Sequence, residues 1–264
     1  MAVVGKSAAA AAFPGRRAAT MPTAMTSAGS PGPIGHAAYE EAFPRTGDAL
    51  TLYLWRRPAF PLTRWAAARD VPVPVLTSAE ALLAALAFWL FWNGHYWLGL
   101  VFAVAVMPVS VAAMMLARVS HAPPSARRLR LAFEVLEPLL WWWAWEHGLA
   151  AFGRPLEPVY ATMVLWVVVG GTIAINVIEA LAIHRFGMEI HAWRPLDSRF
   201  RLVSASRNPD LLILAAALLF RRPDSGLVLV AWWTLISLIV HAVRLAQLTE
   251  RQARRQAIHS WLDE

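Results

Sequence analysis

Apolar residues gather in six long runs, near 77–93, 97–117, 131–152, 158–183, 208–220 and 226–247. Short turns rich in Arg, Pro and Gly separate them. A helix crossing a bilayer needs about 20 apolar residues. The runs meet or approach that length, 208–220 being the shortest. The pattern predicts an all-α integral membrane protein with about six transmembrane helices. Asn208-Pro209-Asp210 reads as the start of the fifth: a cap, a proline in the first turn and an acid at the positive end of the helix dipole.

Polar residues between the runs set orientation. Arg56, Arg57, Arg64 and Arg69 precede the first run, and Arg118, Arg127, Arg128 and Arg130 lie between the second and third. Arg185, Arg194, Arg199, Arg201 and Arg207 lie between the fourth and fifth, and Arg251, Arg254 and Arg255 follow the sixth. The intervening turns carry little charge apart from Arg154 and Arg221-Arg222. Cationic loops stay in the cytoplasm, so both termini are expected there, with an even number of spans. Residues 50–69 mix Leu, Trp and Phe with arginine and are interrupted by Pro58 and Pro61, the pattern of an interfacial segment. Trp89, Trp92, Tyr96, Trp97 and the run Trp141-Trp142-Trp143-Ala144-Trp145 are expected to form an aromatic belt on the outer side.

Composition sharpens this picture. Of 264 residues, 58% are hydrophobic, against roughly 45–50% in a soluble domain, and mean hydropathy is +0.47. Absence of cysteine excludes disulfides, thiolate catalysis and Cys-based zinc sites. The net charge of +7 rests almost wholly on arginine, Lys6 being the sole lysine. Because the arginines sit between apolar runs, the partner they imply is anionic lipid and not nucleic acid. Residues 1–48, rich in Ala, Pro, Gly and Ser, read as a disordered segment. They precede a membrane domain over 49–250 and a cytoplasmic tail over 251–264.

Ionisable groups inside membrane segments are costly and mark function or helix ties. Glu134 and Glu137 share a helix face near the start of the third run. Asn176 and Glu179 do so near the end of the fourth, and His241 and Arg244 near the end of the sixth. Two readings stand: buried pairs that tie helices, Glu179 with Arg244 among them, or a cavity opening to the cytoplasm. Gly170-Gly171 suits close helix packing. No P-loop, GxGxxG, HExxH or nucleophile elbow occurs, and no histidine pair has a metal-binding spacing.

The order of elements resembles the CDP-alcohol phosphatidyltransferases, on Arg57-Pro58, Pro61-Leu62-Thr63-Arg64, the stretch VPVPVLTSAEALLA (71–84) and the segment 185–214. That resemblance implies six spans behind an interfacial helix, and transfer of a phosphatidyl-type group from a CDP-linked donor to an alcohol with release of CMP. It also implies a site between the second and third spans, built on D-x-x-D-G-x-x-A-R, eight residues, then G-x-x-x-D-x-x-x-D, whose aspartates hold Mg²⁺ or Mn²⁺. The expected location is a bacterial cytoplasmic membrane, as a homodimer or a heteromer with an active relative.

Only the Ala117-Arg118 pair of that motif is present. The first two aspartates fall on Ser110 and Ala113, the glycines on Met114 and Arg127, and the last two aspartates on Leu131 and Val135. Registering the third span on its tryptophans moves these two to Arg130 and Glu134. No aspartate occurs between Asp70 and Asp197. Hard divalent cations need several oxygen ligands, so no metal cofactor is expected. Arg118, Arg127, Arg128 and Arg130 can still bind phosphate. The expectation is therefore a divergent, non-catalytic homologue that binds lipid or CDP-linked donor phosphates. The alternatives are a transferase with a rebuilt site using Glu134 and Glu137, and a transporter.

Overall fold

The computed structural model describes residues 35–263 apart from residues 45, 121 and 122. The disorder expected of residues 1–34 lies outside them. Among the described residues the chain is helical without strands. Helix α1 is His36–Ala42, a π-helical turn covers Leu50–Trp55, and α2 is Arg56–Ala68. The long helices are α3 (Val73–Trp92), α4 (Tyr96–Val119) and α5 (Pro124–Ala151). Helix α6 (Pro158–Leu165) continues through a π-helical turn at Trp166–Gly170 into α7 (Gly171–Phe186). A 3₁₀ turn at Ile190–Ala192, α8 (Pro195–Arg201), α9 (Arg207–Leu219) and α10 (Pro223–Ala253) follow, with a last 3₁₀ turn at Trp261–Asp263.

Among the described residues, four helices are long and apolar enough to cross a membrane: Val73–Trp92, Tyr96–Val119, Pro158–Phe186 and Pro223–Ala253. The other two apolar runs form helices that fall short of this. Helix α9 has 13 residues, or about 20 Å at 1.5 Å per residue. Helix α5 has 28 residues, but arginines and glutamates occupy its first half.

Within the segment expected to be disordered, His36–Ala42 form helix α1. Tyr39 is fully buried and donates its hydroxyl to the Arg56 carbonyl at 3.1 Å, and Glu40 accepts from Arg56 Nε at 3.0 Å. Pro58 and Pro61 do not interrupt α2. Pro58 lies in its first turn, just after the π-helical geometry of 50–55, where a missing donor is tolerated.

Tertiary contacts define two ends. At one, the arginine-rich end, Ala49 N–H donates to the Leu202 carbonyl at 2.9 Å and Arg118 Nη1 donates to the Ala42 carbonyl at 3.0 Å. At the other, Tyr96 donates to the Trp145 carbonyl at 2.8 Å and Trp145 Nε1 to the Pro223 carbonyl at 3.2 Å. Gly94 turns the chain there with φ +74°. A Cβ on Gly148 would overlap the Phe91 carbonyl, so glycine allows α5 to approach α3 this closely.

The tryptophan run divides by helical phase. Trp141, Trp142 and Trp145 are core residues at 0–1% exposure, while Trp143 is 49% exposed. The expected aromatic belt is thus partly interior packing, since a helix cannot present four residues out of five consecutive positions to one side. Gly170-Gly171 also divides. A Cβ on Gly171 would meet Thr234 Cγ2 at 2.6 Å, whereas nothing lies within 4 Å of one on Gly170. Gly171 alone is therefore the close-packing position between α7 and α10.

Candidate functional site

The position where the resemblance puts metal-binding aspartates is filled by apolar packing. Ser110 is 4% exposed, and Ala113 is fully buried in a cluster with Ala59, Ala66, Met115 and Leu116. A hydroxyl and a methyl in such a seam do not fit a Mg²⁺ or Mn²⁺ pair, which demands carboxylate oxygens. Glu134 and Glu137 do not join there. Glu134 pairs with Arg130 at 2.8 Å. Glu137 turns into the core, where Arg207 Nη1 lies 2.8 Å from its Oε1 and 3.7 Å from Glu80 Oε1.

The predicted phosphate-binding arginines have different environments. Arg118 is exposed and tied to the end of α1, Arg128 is exposed, Arg130 is held by Glu134, and the side chain of Arg127 lies outside the described residues. Beside the interfacial helix, His36, Glu40, Tyr53, Arg56, Arg57 and Phe60 help line a pocket of about 430 Å³. Arg57 is exposed, and Tyr53 is 69% exposed.

Asn208 does not cap α9, because Ser206 occupies the cap position. Its amide nitrogen instead donates to Asp48 Oδ1 at 2.9 Å, and its oxygen accepts from Trp55 Nε1 at 3.0 Å. The motif thus ties α9 to the N-terminal segment. The expected Glu179–Arg244 pair is also replaced: Arg244 Nε lies 2.7 Å from Asp197 Oδ1. Asn176 is exposed and donates to the Thr172 carbonyl in its own helix at 2.9 Å. Glu134, Glu137, Asn176 and Arg244 therefore meet separate partners, and the three polar pairs do not share one cavity.

Glu179 and His241 do converge, together with a residue that sequence spacing could not connect to them. Gly187, with φ +73°, ends α7 in the left-handed conformation and turns the chain back. Ile190 and Trp193 then bury themselves against Ala182 and Leu248, which carries His191 over the α7–α10 seam. On α10, Thr234, Ser237, His241 and Leu248 form one buried stripe at helical spacing. His191 Nε2 lies 2.6 Å from Glu179 Oε1, His241 Nε2 3.3 Å from the same oxygen, and the two Nε2 atoms 3.2 Å apart.

Neighbouring groups fix the cluster. His241 Nδ1 lies 2.6 Å from the Ser237 carbonyl. A carbonyl only accepts, so Nδ1 carries the proton and Nε2 of the neutral ring presents its lone pair. Glu179 Oε2 accepts a long 3.4 Å bond from Ile190 N–H. Ser198 donates to the His191 carbonyl at 2.5 Å and accepts from Trp261 Nε1 at 2.9 Å, so the C-terminal turn buttresses this segment. Burial holds His191 below its ordinary imidazole range, against the opposing pull of Glu179.

No protein-family model matches this chain, and no curated protein matches it in sequence.

Proposed function

We propose that this chain is a six-span membrane protein of the CDP-alcohol phosphatidyltransferase type that binds phosphorylated lipid headgroups without transferring them. Helices α5 and α9 complete the bundle as the third and fifth spans. Both termini face the cytoplasm of a bacterial cell, and the exposed Arg57, Arg118 and Arg128 meet anionic headgroups there.

One observation carries the reading: Ser110 and Ala113 are buried in an apolar seam where transfer would need metal-binding carboxylates. The separate partners of Glu134 and Glu137 weigh against a rebuilt dinuclear site. Arginine without a metal retains phosphate recognition, through charge-assisted and bidentate hydrogen bonds.

The test offers purified protein a short-chain CDP-diacylglycerol with Mg²⁺ or Mn²⁺, following both binding and CMP release. Binding without CMP release is expected, weakened about 5-fold by each of Arg57→Ala and Arg128→Ala, from the ~1 kcal/mol of a surface arginine at anionic lipid. Metal-dependent CMP release abolished by Glu134→Gln would overturn it.

A further inference from the structure

Three atoms converge from three separate elements: Glu179 Oε1 on α7, His191 Nε2 on the 3₁₀ turn and His241 Nε2 on α10. In the neutral ring His241 Nε2 is a lone pair, because the Nδ1 proton goes to the Ser237 carbonyl. The carboxylate oxygen is another acceptor, with His191 Nε2 at 2.6 Å and His241 Nε2 at 3.3 Å. With neutral rings, at most one N–H remains among three facing atoms, the one His191 can carry. A single proton cannot satisfy two acceptors arranged in this way, whereas one cation at their centre can.

We propose that Glu179, His191 and His241 form a three-ligand site for a divalent transition metal, zinc by preference, with the fourth coordination position left to water or an anion. Zinc takes imidazole nitrogen at about 2.0–2.1 Å and carboxylate oxygen at about 2.0–2.2 Å, so tetrahedral ligand atoms stand about 3.3 Å apart. The His191–His241 and His241–Glu179 separations of 3.2 and 3.3 Å already have that value. The 2.6 Å His191–Glu179 contact must open by about 0.7 Å to reach it. The His241–Ser237 bond is the outer contact that metal-binding histidines need, since it fixes the tautomer. Two histidines and one acid, with one position free, is the ligand set of catalytic zinc and not of closed structural zinc. The Asp197–Arg244 ion pair, three residues along α10 from His241, does not consume any of the three ligands.

This site is independent of headgroup binding at Arg57, Arg118 and Arg128, and either can fail alone. The experiment uses the full chain, purified in detergent without a histidine tag, stripped with chelator and re-equilibrated with zinc or cobalt. Retention of a single zinc per chain is expected, with the visible d–d absorption of a four-coordinate ion when cobalt replaces it. His241→Gln should weaken zinc more than about 100-fold, beyond the 10–100-fold cost of outer contacts, and exposed His184→Ala should leave it unchanged. Glu179→Gln, nearly isosteric, serves if His241→Gln fails to fold. Wild-type protein with no d–d band and no retained zinc would overturn the site, as would folded His241→Gln or Glu179→Gln protein that retains zinc like the wild type. In either case the three side chains are a hydrogen-bonded tie between helices.

Discussion

His191 and His241 face each other at 3.2 Å between their Nε2 atoms, with fifty residues of chain between them. The contact depends on a loop held from outside. Ser198 Oγ bonds the His191 carbonyl on one side and the Trp261 indole on the other. Ser198→Ala is therefore expected to loosen His191 without touching any ligand. Zinc affinity, measured by competition with a chelating dye, should fall roughly 10-fold, in the range of outer-contact changes. Unchanged affinity would show that His191 is positioned by its own burial alone.

Acid should weaken the zinc-free fold through His191. Its folded value lies below the ordinary one because burial disfavours the imidazolium. Below about pH 6.5 the unfolded chain then binds more protons at this residue than the folded chain does. Stability should level off above that pH and decline as pH falls toward about 5. His191→Asn should flatten the decline. Zinc should raise the plateau and steepen the fall, because protons displace the metal. Thermal unfolding across pH, with and without zinc, reads all three.

Arg207 stands between Glu80 and Glu137, whose side chains are 1% and 2% exposed. Arg207→Met leaves two buried carboxylates facing each other, a loss of about 3–5 kcal/mol. The unfolding midpoint should drop by roughly 10 °C. Adding Glu137→Gln should recover part of the loss, since coupled partners are non-additive. An additive double variant would contradict the pairing.

Gly148 and Gly170 look alike in sequence, each a glycine in an apolar helix. Gly148→Val would drive its side chain into the Phe91 carbonyl and separate α3 from α5, at a cost of about 1–3 kcal/mol or more. Gly170→Ala meets nothing within 4 Å, and should be neutral or slightly stabilising in the same melt.

What the sequence revealed follows from the range of each signal. Hydropathy is local, so the first two apolar runs, 77–93 and 97–117, match helices Val73–Trp92 and Tyr96–Val119 to within a few residues. Glu179 and His241 stood out because ionisable groups in apolar runs are conspicuous. His191 did not, because it lies in a polar loop and its role depends on the αL turn at Gly187. Asp197 was hidden in the same way, so Arg244 was matched to the wrong acid. The tryptophan run shows the reverse error: composition suggested an interface, but helical phase placed Trp141, Trp142 and Trp145 in the core.

The proposed metal site lies where α7, the 190–192 turn and α10 meet, apart from the arginine-rich turn between α4 and α5. X-ray absorption at the zinc edge of the loaded protein tests it most directly. Two imidazole nitrogens and one carboxylate oxygen at about 2.0–2.2 Å, with the outer-ring scattering of histidine, are predicted. A zinc shell without imidazole scattering, or one unchanged in His241→Gln, would contradict it.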